Sequence, residues 1–199
     1  MSTMNRGALV AGVIAAIALA VAIAAGCDPR EADDTCTDPT IMPHLSPVNF
    51  GDLQPAPEAC AAAAGVQTIP YEWVLLLLSK CREPVVIDKV CLVGDAHNGV
   101  KGSPAFFLEG PVPSTATIEE EAALRITYSP AAVNTDLDGD GAPDPDNAAL
   151  VIQSNAKNFP TLVVPICARL VPAGTKPAAF ACTSPVTVAA GQRDLTLCP

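Results

Sequence analysis

Short apolar runs, each stopped by proline or glycine, constrain this chain more than any other feature. Twenty prolines and thirteen glycines punctuate 199 residues. Proline removes a backbone donor and breaks helix interiors, so such spacing favours strands and turns over long helices. Residues 48–50 read as a short strand closed by Gly51 and Asp52. Residues 71–78 (YEWVLLLL) are continuously apolar after Glu72, and residues 85–93 (VVIDKVCLV) are β-branched. Periodicity alone would also fit WVLLLL to a buried helical turn, but its length and the flanking prolines favour a strand. Residues 105–108, 122–128, 148–154 and 161–170 continue the series, with a turn at 155–158. Within 122–128, Leu124, Ile126 and Tyr128 fall on one face. Six or seven short strands predict an all-β chain, an antiparallel β-sandwich with Trp73 in its core. Residues 59–66 are alanine-rich and fit either a loop or a helical turn.

The start of the chain is different. Residues 8–25 carry no charge, Arg6 precedes them, and small residues lead into Cys27. A basic start, an apolar middle and a small-residue end form the layout of a secretory signal helix. The sequence Ile23-Ala24-Ala25-Gly26-Cys27 also resembles the bacterial lipobox, with Ala24 where leucine is commoner. That resemblance implies a lipoprotein signal peptide over residues 1–26, cleavage before Cys27, and a lipidated Cys27 that anchors the protein to a membrane. Two or three acyl chains hold a protein firmly where one holds it marginally. The expected location is the bacterial cell envelope, at the outer membrane or the periplasmic face of the inner membrane. Asp28 signals inner-membrane retention in some enteric bacteria.

Loss of residues 1–26 would leave 173 residues with ten basic and twenty-one acidic side chains. That is one domain's worth of chain, and its balance offers nothing to a phosphate backbone, so nucleic acid is excluded as a partner. Residues 27–45 read as an acidic tether, 46–171 as the sandwich, and 172–199 as a C-terminal extension stapled by disulfides. Besides Cys27 there are seven cysteines: Cys36, Cys60, Cys81, Cys91, Cys167, Cys182 and Cys198. In an exported chain they predict three disulfides and one thiol left over. Cys182 with Cys198 would close the C-terminal segment and Cys81 with Cys91 would bridge neighbouring strands, although spacing leaves the connectivity open. There is no C-x-x-C of a redox or zinc site.

The segments PVNFGDL, REPVVIDKVCLVGD, FFLEG, TIEEEAALRITYSP, LVIQSN and FPTLVVPICARL follow one another in an order that resembles bacterial choice-of-anchor D domains. These are relatives of Hydin-type immunoglobulin-like domains, and the resemblance covers about residues 46–170. It implies an immunoglobulin-like sandwich with a non-catalytic surface or scaffolding role, facing an envelope protein or polysaccharide. Cys81 and Cys91 depart from the family's pattern, as does an acidic insertion before ALVIQSN.

That insertion runs TDLDGDGAPDPDN. Asp136, Asp138, Asp140 and Asp144, with the Ala142 carbonyl, occupy positions 1, 3, 5, 9 and 7 of an EF-hand-like loop, and Gly141 sits at the sharp turn. Alternating carboxylates suit calcium, a hard cation that gathers six to eight oxygens. Position 12 is Asn147, so the usual bidentate glutamate is either missing or replaced by Asp146. The loop resembles those of thrombospondin type 3 repeats, which implies calcium as the cofactor. Without an ion, it is a solvated acidic turn.

Catalytic motifs are absent. His44 lies in the tether and His97 in the turn DAHNG, and Glu119, Glu120 and Glu121 read as a charged loop. The rival functions are an envelope enzyme using His97 and a metal or redox carrier using an unpaired cysteine with either histidine.

Overall fold

Nine strands and no helix form the regular structure of the residues that the computed structural model describes, 36–55, 71–94 and 105–198. They are β1 (Ile41–Pro43), β2 (Val48–Leu53), β3 (Tyr71–Ser79), β4 (Val85–Gly94), β5 (Phe106–Glu109), β6 (Thr115–Ala116), β7 (Ala122–Tyr128), β8 (Asp146–Ser154) and β9 (Thr161–Leu170). The expected signal helix, Cys27, the alanine-rich stretch, Cys60 and His97 lie outside the described residues.

The strands make two sheets, one ordered β1-β3-β7-β5 and the other β2-β9-β8-β4-β6. Alternation within each strand decides what is buried. Leu75 and Leu77 of β3 and Leu124, Ile126 and Tyr128 of β7 share one buried cluster with Leu150 and Ile152 of β8 and Val164 and Ile166 of β9. Side chains of both sheets therefore fill a common core, the arrangement of a sandwich. Phe50 of β2 crosses that core, packing edge-on to Trp73 at 5.6 Å and beside Tyr128 at 6.1 Å. Trp73 is partly buried against the same cluster, in keeping with a core position.

Three expectations need correction. The end of the predicted tether is strand β1, which pairs antiparallel with β3 through Ile41, Met42 and Pro43. It was hidden because three residues give no periodicity to detect. Gly51 and Asp52 do not close β2. The ladder resumes at Asp52 after a register shift, with Gly51 at φ 75°, where a residue without Cβ is unstrained. The sheets are also not wholly antiparallel, since β2 runs parallel to β9. The chain leaves the first sheet after β1 and joins the second without reversing, so β2 runs beside β9 in the same direction.

The disulfides also differ from the suggested pairing. Three bridges form, as the count predicts, but they join Cys36 to Cys81, Cys91 to Cys198 and Cys167 to Cys182. Cys81 follows β3 and meets Cys36 before β1, whereas Cys91 sits on the face of β4 turned away from the core, where Cys198 covers it. Cys91 faces outward from its sheet beside Val93, Ala149, Val151 and Val163.

The segment after β9 covers that outward face. It packs Val186, Leu197 and Cys198 onto Ala149 and Val151. Gln153 donates to the Asp194 carbonyl at 2.9 Å, the Asp194 amide donates to Thr161 Oγ1 at 2.8 Å, and the Thr183 amide donates to Asn147 Oδ1 at 3.1 Å. Two bridges tie this strap to β4 and β9. With a core on one side and the strap on the other, β8 is buried almost throughout, which explains its unbroken apolar run AALVI.

Candidate functional site

The acidic insertion joins β7 to β8, between Tyr128 and Asp146. Its entry is pinned by Asn134. The Asn134 amide donates to the Leu170 carbonyl at 2.8 Å, its Oδ1 accepts from the Leu170 amide at 2.7 Å, and its Nδ2 donates to the Asp144 carbonyl at 2.9 Å. One side chain thus fastens both limbs of the loop to the end of β9. At the base, the buried Tyr128 hydroxyl donates to Asp146 Oδ2 at 2.7 Å and lies 3.2 Å from Asn134 Oδ1. Burial first, and the Asp146 carboxylate second, push the Tyr128 phenol far above its ordinary range.

Inside the loop the carboxylates are held by backbone donors. Asp136 accepts from the amides of Gly139 at 2.7 Å and Gly141 at 2.8 Å. Asp138 accepts from Asp140 at 3.0 Å, Asp140 from Ala142 at 2.8 Å, and Asp144 from Leu137 at 2.6 Å. Gly139 and Gly141, at φ 81° and 91°, occupy the left-handed region that lets the chain wrap round Asp136. Of the six candidate ligands, Asp136, Asp138 and Asp144 come together, each offering a carboxylate oxygen within 4.8 Å of the others. Asp140 is not in that group. Asp146 stands at the loop's base on Tyr128, and Ala142 donates its amide to Asp140.

The donor chemistry fits a hard cation. Three carboxylates converge, and each retains lone pairs beyond those engaged by backbone N–H groups. Three oxygens are half of the smallest calcium shell, so backbone carbonyls or water would have to supply the rest. The Arg169 guanidinium, which reaches the insertion at the Pro143 carbonyl, is already engaged by Asp52.

Comparison with known proteins adds no relative. No protein-family model matches the chain, and no curated protein matches it.

The remaining candidates fall as follows. Six of the seven predicted disulfide cysteines are bridged. His44 follows β1, and its Nδ1 accepts from the Leu76 amide at 2.9 Å, which commits that nitrogen to a strand edge. Glu120 sits in a turn closed by Thr117, as a charged loop would.

Sequence reasoning passed over the Asp52–Arg169 pair. Arg169 donates from Nε to Asp52 Oδ1 at 2.6 Å and from Nη2 to Oδ2 at 3.0 Å, with side-chain exposures of 5% and 1%. Its Nη1 donates to the Pro143 carbonyl of the acidic insertion at 2.8 Å. The available signal was an arginine inside the apolar strand PICARL, since a buried guanidinium demands a partner. Nothing local pointed to Asp52, 117 residues away.

Proposed function

We propose that the chain is a lipid-anchored protein of the bacterial cell envelope. On this reading Cys27 carries the anchor, and the domain is an immunoglobulin-like sandwich of the choice-of-anchor D and Hydin-type kind. It acts as a non-catalytic binding or scaffolding module for an envelope protein or polysaccharide, and its acidic insertion is stabilised by calcium.

The envelope reading is carried by the three disulfides, which close loops of 45, 107 and 15 residues. Structural bridges of this kind persist in oxidising compartments and are rare where thiols are kept reduced. Strand order supports the finer fold. The sequence β1-β3-β7-β5 matches the A-B-E-D sheet of an immunoglobulin-like sandwich, and β9-β8-β4 matches its G-F-C sheet. The pattern departs from antibody domains in that β3 and β8, the B and F equivalents, hold no cysteine and β4, the C equivalent, holds no tryptophan. Convergence of Asp136, Asp138 and Asp144 supports the calcium loop. Calcium bound there would screen three mutually repelling carboxylates and fix the β7–β8 connection.

Labelling with palmitate tests the anchor. Wild-type chain expressed in a bacterium should incorporate the label and lose residues 1–26, and Cys27→Ser should do neither. Equal labelling of the two would remove the anchor from this account.

A further inference from the structure

A cavity of about 340 Å³ opens beside the acidic insertion. It is lined by Ala105, residues 129–135, Leu137 and residues 144–146. We propose that this cavity docks a basic, extended peptide segment of an envelope partner, with one lysine or arginine side chain inserted between its apolar walls toward Asp144 and Asp146, in competition with calcium for Asp144. The proposal rests on the binding-module reading above and names the partner's chemistry.

Three observations carry it. The first is the lining. Alanine, valine, leucine and proline make most of the wall, while Asp144 and Asp146 are its only charged side chains. Apolar walls that include two carboxylates complement a side chain with a methylene stem and a cationic tip. Arg169, which touches the insertion at Pro143, has its fork filled by Asp52 and that carbonyl, so it is not a partner of Asp144 or Asp146.

The second is the rim. Ala131, Ala132 and Val133 are exposed, and among the described residues no hydrogen bond engages their backbone groups. A peptide lying across them would find backbone donors and acceptors that no hydrogen bond within the described residues uses. Val133 and Leu137 are 37% and 53% exposed, which leaves apolar surface for flanking side chains.

The third is position. Strand directions put the cavity at the end of the sandwich where β2, β7 and β9 finish. The described chain enters at Cys36, bridged to Cys81 just past the far end of β3. The cavity therefore lies at the end of the sandwich opposite the Cys36–Cys81 bridge.

The test uses ¹⁵N-labelled full chain in non-ionic detergent with chelator, so that neither the anchor nor calcium decides the result. The probe is acetyl-Val-Lys-Val-amide, against the same peptide with its lysine acetylated. The amide signals of Ala131, Ala132, Val133 and Leu137 should move saturably with the lysine probe. Acetylation should weaken that binding roughly tenfold, and Asp144→Asn roughly two- to fivefold, the range of solvent-accessible charge pairs. Val133→Arg, an exposed change compatible with folding, should fill the cavity with its own cation and abolish the response. Unmoved cavity signals, equal binding of the two probes, or a response centred elsewhere would overturn the proposal. None of those outcomes bears on palmitate labelling, which tests the anchor separately.

Discussion

Arg169 and Asp52 form a two-point ion pair on the outward face of the five-stranded sheet, and four parts of the chain meet there. Asp52 belongs to β2 and Arg169 to β9. The same guanidinium holds the Pro143 carbonyl of the insertion and the Ala178 carbonyl of the strap, and it lies 4.7 Å from the centre of the Phe180 ring. Asp52 Oδ2 also accepts from the Ala178 amide at 2.7 Å. A desolvated pair with its remaining groups hydrogen-bonded is hard to remove one half at a time.

Asp52→Ala should therefore destabilise the fold by about 3–5 kcal/mol, because it strands a buried guanidinium. The pair also makes stability depend on acid. The hydrogen bond from Arg169, helped by the Ala178 amide, holds the Asp52 carboxyl below its ordinary value of 3.8 against the opposing effect of burial. The unfolded chain then binds the proton more readily than the folded one. The pair's contribution is complete above about pH 4 and is lost as pH falls through the lower folded value. Chemical unfolding between pH 5 and pH 2 should show this loss for wild type and a flatter profile for Asp52→Asn.

At the other end of the scale, Tyr128 predicts an alkaline limit. Its phenol is buried and donates to Asp146, so the folded state resists ionising it. Its folded value is raised, and this contribution is present below the ordinary tyrosine value of 10.0 and falls away above it. Wild type should lose stability progressively above about pH 10. Tyr128→Phe should be less stable at neutral pH by about 1–2 kcal/mol, for the lost hydrogen bond, and should show a smaller alkaline loss. Identical alkaline profiles would contradict the assignment.

Loop lengths rank two of the bridges. Cys91–Cys198 closes 107 residues and Cys167–Cys182 closes 15. Loop-closure entropy makes removal of the long bridge costlier by roughly 1–2 kcal/mol. Paired cysteine-to-serine variants, compared by urea unfolding, should keep that order, and non-reducing peptide mapping should recover all three linkages.

Much of the fold was legible because its longer strands show either period-two alternation or an unbroken apolar run between turn signals. The limits of β7 and β9 match the sequence expectation, since residues 122–128 alternate and residues 161–170 are apolar between turns. Strands β1 and β6, of three and two residues, exist only because β3 and β4 offer them edges. Cystine pairing was illegible because it depends on which sheet each strand joins. The acidic loop announced its carboxylates, but the grouping of Asp136 and Asp138 with Asp144 follows from how Asn134 and the two turn glycines fold the loop.

The proposed calcium site in the acidic insertion can be tested directly. Three carboxylates within 4.8 Å repel one another unless a cation lies among them. A site without the position-12 glutamate should bind weakly, at about 10⁻⁴–10⁻³ M, and should stabilise the fold by mass action. Asp138 belongs to the converging group and Asp140 does not, so the two substitutions differ in consequence. The decisive measurement is the thermal unfolding midpoint of wild type, Asp138→Ala and Asp140→Ala in millimolar calcium and in chelator. Calcium should raise the midpoint of wild type, raise that of Asp140→Ala nearly as much, and leave Asp138→Ala unmoved. Equal wild-type midpoints in the two buffers would contradict the account and leave the insertion a solvated acidic turn.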